Sequence, residues 1–220
     1  MPTPKEWPHR DRLVRDLSKY KWKEWFNSER EKESVSELQT IIKDAVGANT
    51  FRAFKCRQGN KPSVTFREWA NRYLDRKTLA KLWSVKSQHE YDEWLGKLVI
   101  SFTRHWNSKM RKAAFGPYFK LPNLLVKRLC LHREVRRRDF SRVVWYLHVP
   151  LDSYTIVAVK NCVESFPHPN AIGRIPKTST MSFVKNQKMY NAFQSGIREM
   201  AHQAGVPPIT LDCLAWDSGH

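Results

Sequence analysis

The chain has 220 residues, of which 41% are hydrophobic and 12% aromatic, a composition that supports a folded core and argues against disorder. Its 39 Lys and Arg residues outnumber its 21 Asp and Glu residues, and the net charge of +18 favours a polyanionic partner such as nucleic acid. No apolar run approaches the roughly 18 residues of a membrane span, and the first residues lack the apolar core of a signal peptide, so we expect a soluble, cytoplasmic protein with no membrane partner.

The first half of the chain shows helical periodicity. Apolar residues recur at helical spacing over 29–45. Thr65 and Glu68 match a capping box, which predicts a helix with the sequence FREWANRYL. The overlapping stretch GNKPSVTF suggests a short extended piece. A single apolar stripe predicts a long helix over 87–110.

The second half is also helical, and prolines mark most of its boundaries. Pro117 and Pro122 precede the apolar stretch NLLVKRLCL, which predicts a helix that follows them. Further helices are predicted over 139–147, from Pro150 to about Val163, over 181–204 and from Pro207 onwards, with a loop over 165–180. No convincing alternating strand occurs, so the predicted fold class is all-α.

The four cysteines do not form a metal-binding pattern. They lie at positions 56, 130, 162 and 213, without a CxxC or CxxH pair. A zinc site or an iron–sulfur cluster needs closer ligand pairs. We therefore expect reduced thiols, and neither a metal nor another cofactor.

Basic residues are concentrated between Arg104 and Arg142. This segment contains twelve Lys and Arg residues but only two acids, Glu134 and Asp139. A solvated charged surface is one explanation, but the excess charge of the whole chain favours contact with nucleic acid. The residues expected to contact the DNA backbone are Arg104, Lys109, Arg111, Lys112, Arg128, Arg136, Arg137 and Arg138.

Lys120 and Asp152 are the candidates for chemistry. Lys120 lies in the apolar segment GPYFKLPNLLVK, where desolvation and neighbouring cations favour a neutral, nucleophilic amine. Asp152 follows Pro150 at a predicted helix start, where backbone N–H groups favour an ionised carboxylate. An amine and a carboxylate together suit cleavage of an N-glycosidic bond. In the structural alternative, Asp152 only caps a helix and Lys120 only contacts a phosphate.

Other catalytic patterns have less support. The chain contains no G-x-S-x-G motif and no glycine-rich phosphate loop. Asp212 and Asp217 are five positions apart on a predicted helix, a spacing that does not place both carboxylates on one face for a metal ion. A metal-dependent nuclease is therefore the least supported alternative.

The spacing of the candidate residues resembles that of the helix–hairpin–helix DNA glycosylases, and most closely the archaeal 8-oxoguanine DNA glycosylase branch. Lys120, Lys127 seven positions later, and Asp152 in the sequence V-P-L-D carry the resemblance. Asp152 follows Lys120 by thirty-two positions, and the resemblance covers about residues 115–162.

The resemblance implies a glycosylase-like fold with two small lobes around a cleft, about 1–86 with 165–220 and 87–164, within a single domain over 1–220. The superfamily hairpin pattern G-x-G-x-K is kept at Gly116 but not at Tyr118, which implies a bulkier hairpin.

The resemblance also implies the activity of a DNA glycosylase that flips a base out of the duplex. Lys120 would be the nucleophile and Asp152 its partner, with cleavage of the abasic strand as a possible second step. The base-pocket residues of the family do not carry over to this sequence. From the residues themselves, we expect Lys127, His148 and Asn123 to support the pair, and Trp145, Tyr154 and Trp216 to line the base pocket.

Double-stranded DNA is the expected partner, and a monomer the expected state. The expected target is a damaged or modified base, with 8-oxoguanine and a deliberately modified cytosine of phage DNA as candidates, and the second target would make the protein a defence factor. A non-enzymatic helical DNA-binding protein is the main alternative.

Overall fold

The computed structural model describes residues 3–32, 38–51, 54, 60–131 and 137–219. These residues contain α-helices and no β-strand, which confirms the predicted all-α class. The α-helices are α1 (Arg10–Lys19), α2 (Trp22–Lys32), α3 (Leu38–Asp44), α4 (Ala48–Phe51), α5 (Pro62–Tyr73), α6 (Arg76–Ser84), α7 (Gln88–Lys109), α8 (Phe115–Cys130), α9 (Arg137–Val143), α10 (Ser153–Ala158), α11 (Gln187–Gln203) and α12 (Thr210–Gly219). None of these described helices is both long and apolar enough to cross a membrane.

The chain forms two compact units. The lysine unit contains Met1–Phe26, Ala114–Lys120 and Leu147–His220, and the aromatic unit contains Asn27–Ala113 and Leu121–Tyr146. The boundaries differ from those of the lobes suggested by the sequence, because α7 groups with the helices that precede it. Lys120 and Asp152 both belong to the lysine unit.

The aromatic unit has a core of closely packed, mutually tilted aromatic rings on α5 and α7. The ring centroids of Trp69 and Phe102 are 4.7 Å apart, and those of Phe102 and Trp106 are 5.3 Å apart. These spacings are typical of favourable aromatic pairs. Ser87 caps α7 by accepting a hydrogen bond from the backbone N–H of Glu90, so the predicted long helix is confirmed.

The capping box predicted at Thr65 and Glu68 is wrong. Helix α5 begins at Pro62, four residues before the start predicted at Phe66, and it follows Lys61, which makes no side-chain capping bond. Proline suits a first helical turn because its φ is already helical and no N–H partner is needed there. For the same reason the suggested extended piece is helical from Pro62 onwards. Thr65 is buried inside the helix, and Glu68 instead accepts a hydrogen bond from Lys109 at 2.6 Å.

Several other predicted boundaries shift by a few residues. The pattern over 29–45 ends in α3, while residues 33–37 lie outside the described part of the chain. The helix predicted from Pro150 is shorter: α10 is followed by a 3-10 helix at Lys160–Ser165. The start predicted at residue 181 is a 3-10 turn, Met181–Phe183, and α11 begins only after Asn186 caps it.

The lysine unit is built around α1, α11 and α12, and α10 packs against α12. Arg10 of α1 connects three segments of this unit. Its guanidinium lies 2.7 Å from the carboxylate of Glu199 and donates at 3.0 Å to the carbonyl of Ser165. Leu13 and Leu17 of the same helix are fully buried. Apolar packing and one charged anchor therefore fix α1 within the unit.

The described cysteines are buried and are not joined in disulfides. Cys130, Cys162 and Cys213 form no disulfide, which agrees with the predicted reduced thiols, while Cys56 lies outside the described residues. Burial raises the pKa of the Cys162 thiol to about 11. A thiol with this pKa is a poor nucleophile at neutral pH.

Helix α8 begins earlier than the sequence predicts. It includes Gly116 in its first turn and Pro122 in its interior, so the helix begins before Pro122 and continues through it. Residues 116–123 are all buried, and this burial outweighs the hydrogen bond that Pro122 cannot donate. The bulkier hairpin implied at Gly116 and Tyr118 is therefore wrong, because both residues are helical. The connection from α7 to α8 is residues 110–114.

Gly116 lies against the 3-10 turn at Met181–Phe183. Its N–H donates to the carbonyl of Val184 at 3.1 Å. A Cβ placed on Gly116 would lie 1.9 Å from the carbonyl oxygen of Met181. No side chain fits there unless the backbone of the turn moves.

We predict that Gly116→Ala lowers the free energy of unfolding by about 1–3 kcal/mol, because the added methyl group overpacks a backbone contact. Gly96→Ala is the matched control, since a Cβ on Gly96 in α7 meets no atom within 4 Å. This control should instead raise stability by up to about 1 kcal/mol through helix propensity. Denaturant unfolding measures both changes, and equal effects of the two substitutions would contradict the contact at Gly116.

Candidate functional site

The lysine unit brings Lys120 and Asp152 together. Lys120 Nζ lies 3.2 Å from Asp152 Oδ2, and the two side chains are only 9% and 8% exposed. Burial of this kind strengthens the attraction between the two groups and removes competing water. The sequence therefore identified two residues, thirty-two positions apart, that form a direct buried pair.

The carboxylate of Asp152 is held through its other oxygen. Asp152 is the N-cap of α10, and its Oδ1 accepts hydrogen bonds from the backbone N–H groups of Tyr154 at 2.9 Å and Thr155 at 3.1 Å. Each oxygen thus has a different task. Oδ1 anchors the side chain to the helix start, and Oδ2 faces the amine of Lys120.

Thr155 completes the cap from the opposite direction. Its Oγ1 accepts a hydrogen bond from the backbone N–H of Asp152 at 2.9 Å and donates one to the carbonyl of Pro150 at 2.9 Å. The side chain of Thr155 is fully buried. Asp152 and Thr155 therefore form a reciprocal capping box that fixes the backbone as well as the carboxylate.

The extended segment before Asp152 is fastened to α11 by Gln194. The side-chain oxygen of Gln194 accepts from the N–H of Val149, and its side-chain nitrogen donates to the carbonyl of the same residue, both at 2.9 Å. Gln194 is only 3% exposed. This two-point contact resembles one rung of a β-sheet, and it satisfies backbone groups that would otherwise be buried without partners.

His148 lies in the same network. Its Nδ1 is 2.9 Å from the hydroxyl of Tyr190, and its Nε2 is 3.3 Å from a guanidinium nitrogen of Arg198. Because a guanidinium can only donate, Nε2 accepts, and the proton of the neutral ring is on Nδ1, facing Tyr190. The predicted proton carrier is thus held between two residues of α11.

Aromatic rings line α8 next to Lys120. Phe119 packs against Tyr190 with ring centroids 4.1 Å apart, and Phe115 stacks on Phe119 at 5.0 Å. Tyr190 therefore contacts two residues of the site: Phe119, which precedes Lys120, and His148. This packing fixes the first turns of α8 against α11.

Two of the three aromatic residues predicted for a base pocket are in contact. Tyr154 and Trp216 stack with ring centroids 4.9 Å apart at an interplanar angle of 29°. Trp216 remains 44% exposed. Trp145 belongs to the aromatic unit, so only Tyr154 and Trp216 share the unit of the Lys120–Asp152 pair.

The remaining supporting residues belong to the aromatic unit. Asn123 is 2% exposed, and Lys127 is half-buried; both lie in α8. Their roles beside Lys120 stay predictions.

The predicted DNA-binding cations also belong to the aromatic unit. Arg104, Arg111, Lys112 and Arg138 are exposed, and Arg128 is half-buried. Lys109 is paired with Glu68 at 2.6 Å, so part of its charge is neutralised locally. Arg136 lies outside the described residues, and Arg137 is described only as the first residue of α9. These cations stay predicted DNA contacts.

The described residues contain no group of three or more His, Cys, Asp or Glu side chains placed to hold a metal ion. Asp212 and Asp217, the two acids considered above for a metal ion, lie in different environments. Asp217 accepts a hydrogen bond from the hydroxyl of Tyr20 at 2.5 Å, whereas Asp212 is only 2% exposed.

Comparisons with family models, with curated proteins and with solved structures found no match for this chain.

Sequence reasoning missed the residues that hold the pair in place. Tyr190, Gln194 and Arg198 lie four positions apart on α11, which puts their polar groups on one face of the helix. Polar groups at this spacing within an apolar helix could have indicated a buried hydrogen-bonding stripe. The pairing of Asp152 with Thr155 was visible as an N-cap followed three residues later by a hydroxyl.

We predict that Thr155→Val lowers the free energy of unfolding by about 1–3 kcal/mol, because the N–H of Asp152 loses its buried acceptor. Thr155→Ser keeps the hydroxyl and loses one methyl group, which should cost about 0.8 kcal/mol. Denaturant unfolding of the two variants tests the prediction. A valine variant no less stable than the serine variant would contradict the role of the hydroxyl.

Proposed function

We propose that this protein is a DNA N-glycosylase, in which the amine of Lys120 and the carboxylate of Asp152 act at the anomeric carbon of a flipped nucleotide. The observation that carries the proposal is the buried contact of 3.2 Å between Lys120 Nζ and Asp152 Oδ2. The resemblance of the Lys120, Lys127 and Asp152 spacing to helix–hairpin–helix glycosylases supports it independently.

The pair is not explained by stability alone. Removing an ammonium and a carboxylate from water costs several kcal/mol per ion, and apolar side chains of similar volume often stabilise a core as well or better. The helix cap accounts for Asp152 Oδ1, but it requires neither Oδ2 nor a lysine. A buried amine next to an anchored carboxylate is the feature that chemistry requires.

In the proposed reaction, the Lys120 ammonium first releases a proton to solvent, and the lone pair freed on Nζ forms a bond to C1′ as the N-glycosidic bond breaks. The electron pair of the broken bond leaves with the base, which takes up a proton. Asp152 stabilises the positive charge that develops on the sugar. If Lys120 does not attack, a water molecule takes its place and the product is an abasic site.

A second step follows from the covalent intermediate. The amine loses a proton as the ring oxygen leaves C1′ and becomes the 4′-hydroxyl, which yields an imine. Loss of a proton from C2′ then expels the 3′-phosphate and nicks the strand. This lyase step needs a lysine nucleophile.

The target is a damaged or modified base, with 8-oxoguanine and the modified cytosines of phage DNA as the two candidates. A polyanionic partner fits the net charge of +18. Flipping the nucleotide out of the duplex costs a few kcal/mol. Contacts with the DNA backbone and with aromatic rings offset this cost.

We predict that duplexes with 8-oxoguanine or modified cytosines release one of these bases in EDTA. Asp152→Asn should slow release by about 10²–10³-fold, because it keeps an oxygen for the helix cap but loses the charge that stabilises the sugar cation. Chromatography of the released base under single-turnover conditions measures the effect. Equal rates for the wild type and Asp152→Asn would contradict the proposal.

Borohydride trapping tests the nucleophile. We expect reduction during turnover to leave a stable protein–DNA adduct on Lys120, identified by mass spectrometry, and none in Lys120→Gln. Lys160→Gln is the matched control, since Lys160 Nζ also lies 3.2 Å from a carboxylate, that of Glu6, but in a more exposed ion pair. An adduct that persists in Lys120→Gln would contradict the assignment of Lys120.

The alternatives give different results in the same assays. A non-enzymatic DNA-binding protein would bind duplexes tightly and release no base, and Lys120→Gln would only weaken binding. A metal-dependent nuclease would cut the strand in a reaction that EDTA stops.

A further inference from the structure

A second group of cations lies in the lysine unit, in a part of the sequence without acids. No Asp or Glu occurs between Glu164 and Glu199, although the whole chain contains 21. The segment from Gly173 to Lys188 contains Arg174, Lys177, Lys185 and Lys188. We call this segment the basic loop.

Buried side chains hold the basic loop against the lysine unit. Ile175 is 3% exposed, Ser179 is 5% exposed and Val184 is fully buried. The hydroxyl of Ser179 donates to the carbonyl of Pro176 at 2.8 Å, a bond that tightens the turn between these residues. The cations therefore project from a backbone that is fixed at several points.

The loop is attached directly to the helix that carries the lysine of the pair. The carbonyl of Val184 accepts from the N–H of Gly116, and the carbonyl of Met181 occupies the space where a side chain at Gly116 would be. Gly116 precedes Lys120 by four residues, about one turn of α8. A partner bound by the loop would thus be held close to Lys120.

The four cations of the loop are exposed, and no carboxylate of the described residues lies within 4.0 Å of them. Lys185 donates only to the carbonyl of Ser182, at 2.8 Å. Other basic residues of the same unit have acidic partners: Arg10 pairs with Glu199 and Lys160 with Glu6. The loop thus presents positive charge that no carboxylate in the described part of the chain neutralises.

We propose that the basic loop binds the phosphate backbone of duplex DNA on the lysine unit. This inference deepens the proposed function, because it assigns a DNA contact to the unit that contains Lys120 and Asp152. Exposed hydroxyl groups of Thr178, Thr180 and Ser182 lie among the cations and are suited to donate to phosphate oxygens. A contact of this kind positions the duplex without reading its sequence.

The salt dependence of binding to an unmodified duplex tests the loop in the full-length chain. A variant with Arg174, Lys177, Lys185 and Lys188 replaced by Gln removes four charges. Each lost phosphate contact reduces the slope of log K against log salt by about 0.9. We therefore expect a slope smaller by about 2–4 and affinity weaker by roughly tenfold or more near 0.1 M salt.

A matched control separates the loop from the overall charge. Arg15, Lys19, Lys21 and Lys23 are exposed cations of the same unit, in a segment that also contains the acids Asp11, Asp16 and Glu24, and Lys21 pairs with Glu24. Replacing these four by Gln changes the net charge equally and should leave most of the slope intact. Equal losses in both variants, or no loss in the loop variant, would overturn the proposal. Thermal unfolding checks that both variants fold.

Lysine acetylation followed by mass spectrometry gives a readout that needs no substitution. Bound duplex should protect Lys177, Lys185 and Lys188 more strongly than Lys19, Lys21 and Lys23. Uniform protection, or none at the loop, would contradict the proposal.

Vesicles with phosphatidylserine provide the competing test. Loss of vesicle binding in the loop variant, with unchanged DNA binding, would assign the loop to a membrane surface and overturn the DNA contact.

These measurements are independent of catalysis. An unmodified duplex releases no base, so binding through the loop can succeed when base release fails. If a loop variant still releases the base at saturating DNA, the basic loop contributes to DNA binding and not to the chemistry of Lys120.

Discussion

An ammonium and a carboxylate that are buried together each lose several kcal/mol of hydration free energy. The attraction between Lys120 and Asp152 offsets this loss only if the surrounding structure holds the two groups in a favourable geometry. Much of the lysine unit provides that geometry. Thr155 fixes the backbone of Asp152, and Gln194 fixes the segment that leads to it. The ring centroids of Tyr190 and Phe119 are 4.1 Å apart. Helix α11 therefore contacts both the segment that leads to Asp152 and the turn of α8 that carries Lys120. Helix α11 is therefore the common support of the pair.

In the proposed function, this arrangement separates binding from chemistry within one small unit. The pair is buried and electrically balanced, whereas the basic loop carries four exposed cations that lie more than 4.0 Å from any carboxylate among the residues described above. A buried pair is insensitive to salt, because screening acts mainly on exposed charges, while phosphate contacts weaken steeply as salt rises. Gly116 joins the two regions, since its N–H bonds to the loop one helical turn before Lys120.

Local signals in the sequence predicted the features that depend on neighbouring residues. The apolar stripe of α7 and the capping position of Asp152 were predicted because each reflects spacing along one segment. The start of α8 was predicted too late, because burial of the whole turn outweighs the cost of Pro122, and burial is a property of the fold. Gln194 was missed for a similar reason, since its partner Val149 is forty-five positions away. The basic loop was not predicted, because Lys and Arg are densest over 104–142 in the sequence, whereas the distance of a cation from carboxylates is a property of the fold.

The discontinuity of the lysine unit has a consequence for how the protein is made. Its segments, up to Phe26, from Ala114 to Lys120 and from Leu147 onwards, are separated by the two segments that make up the aromatic unit. During synthesis α1 emerges long before α11 and α12, against which it packs. Contacts between residues so distant in sequence form slowly, because a long loop must close first. The pair of Lys120 and Asp152 is therefore completed late, after α11 has left the ribosome, and a partly synthesised chain lacks the candidate site.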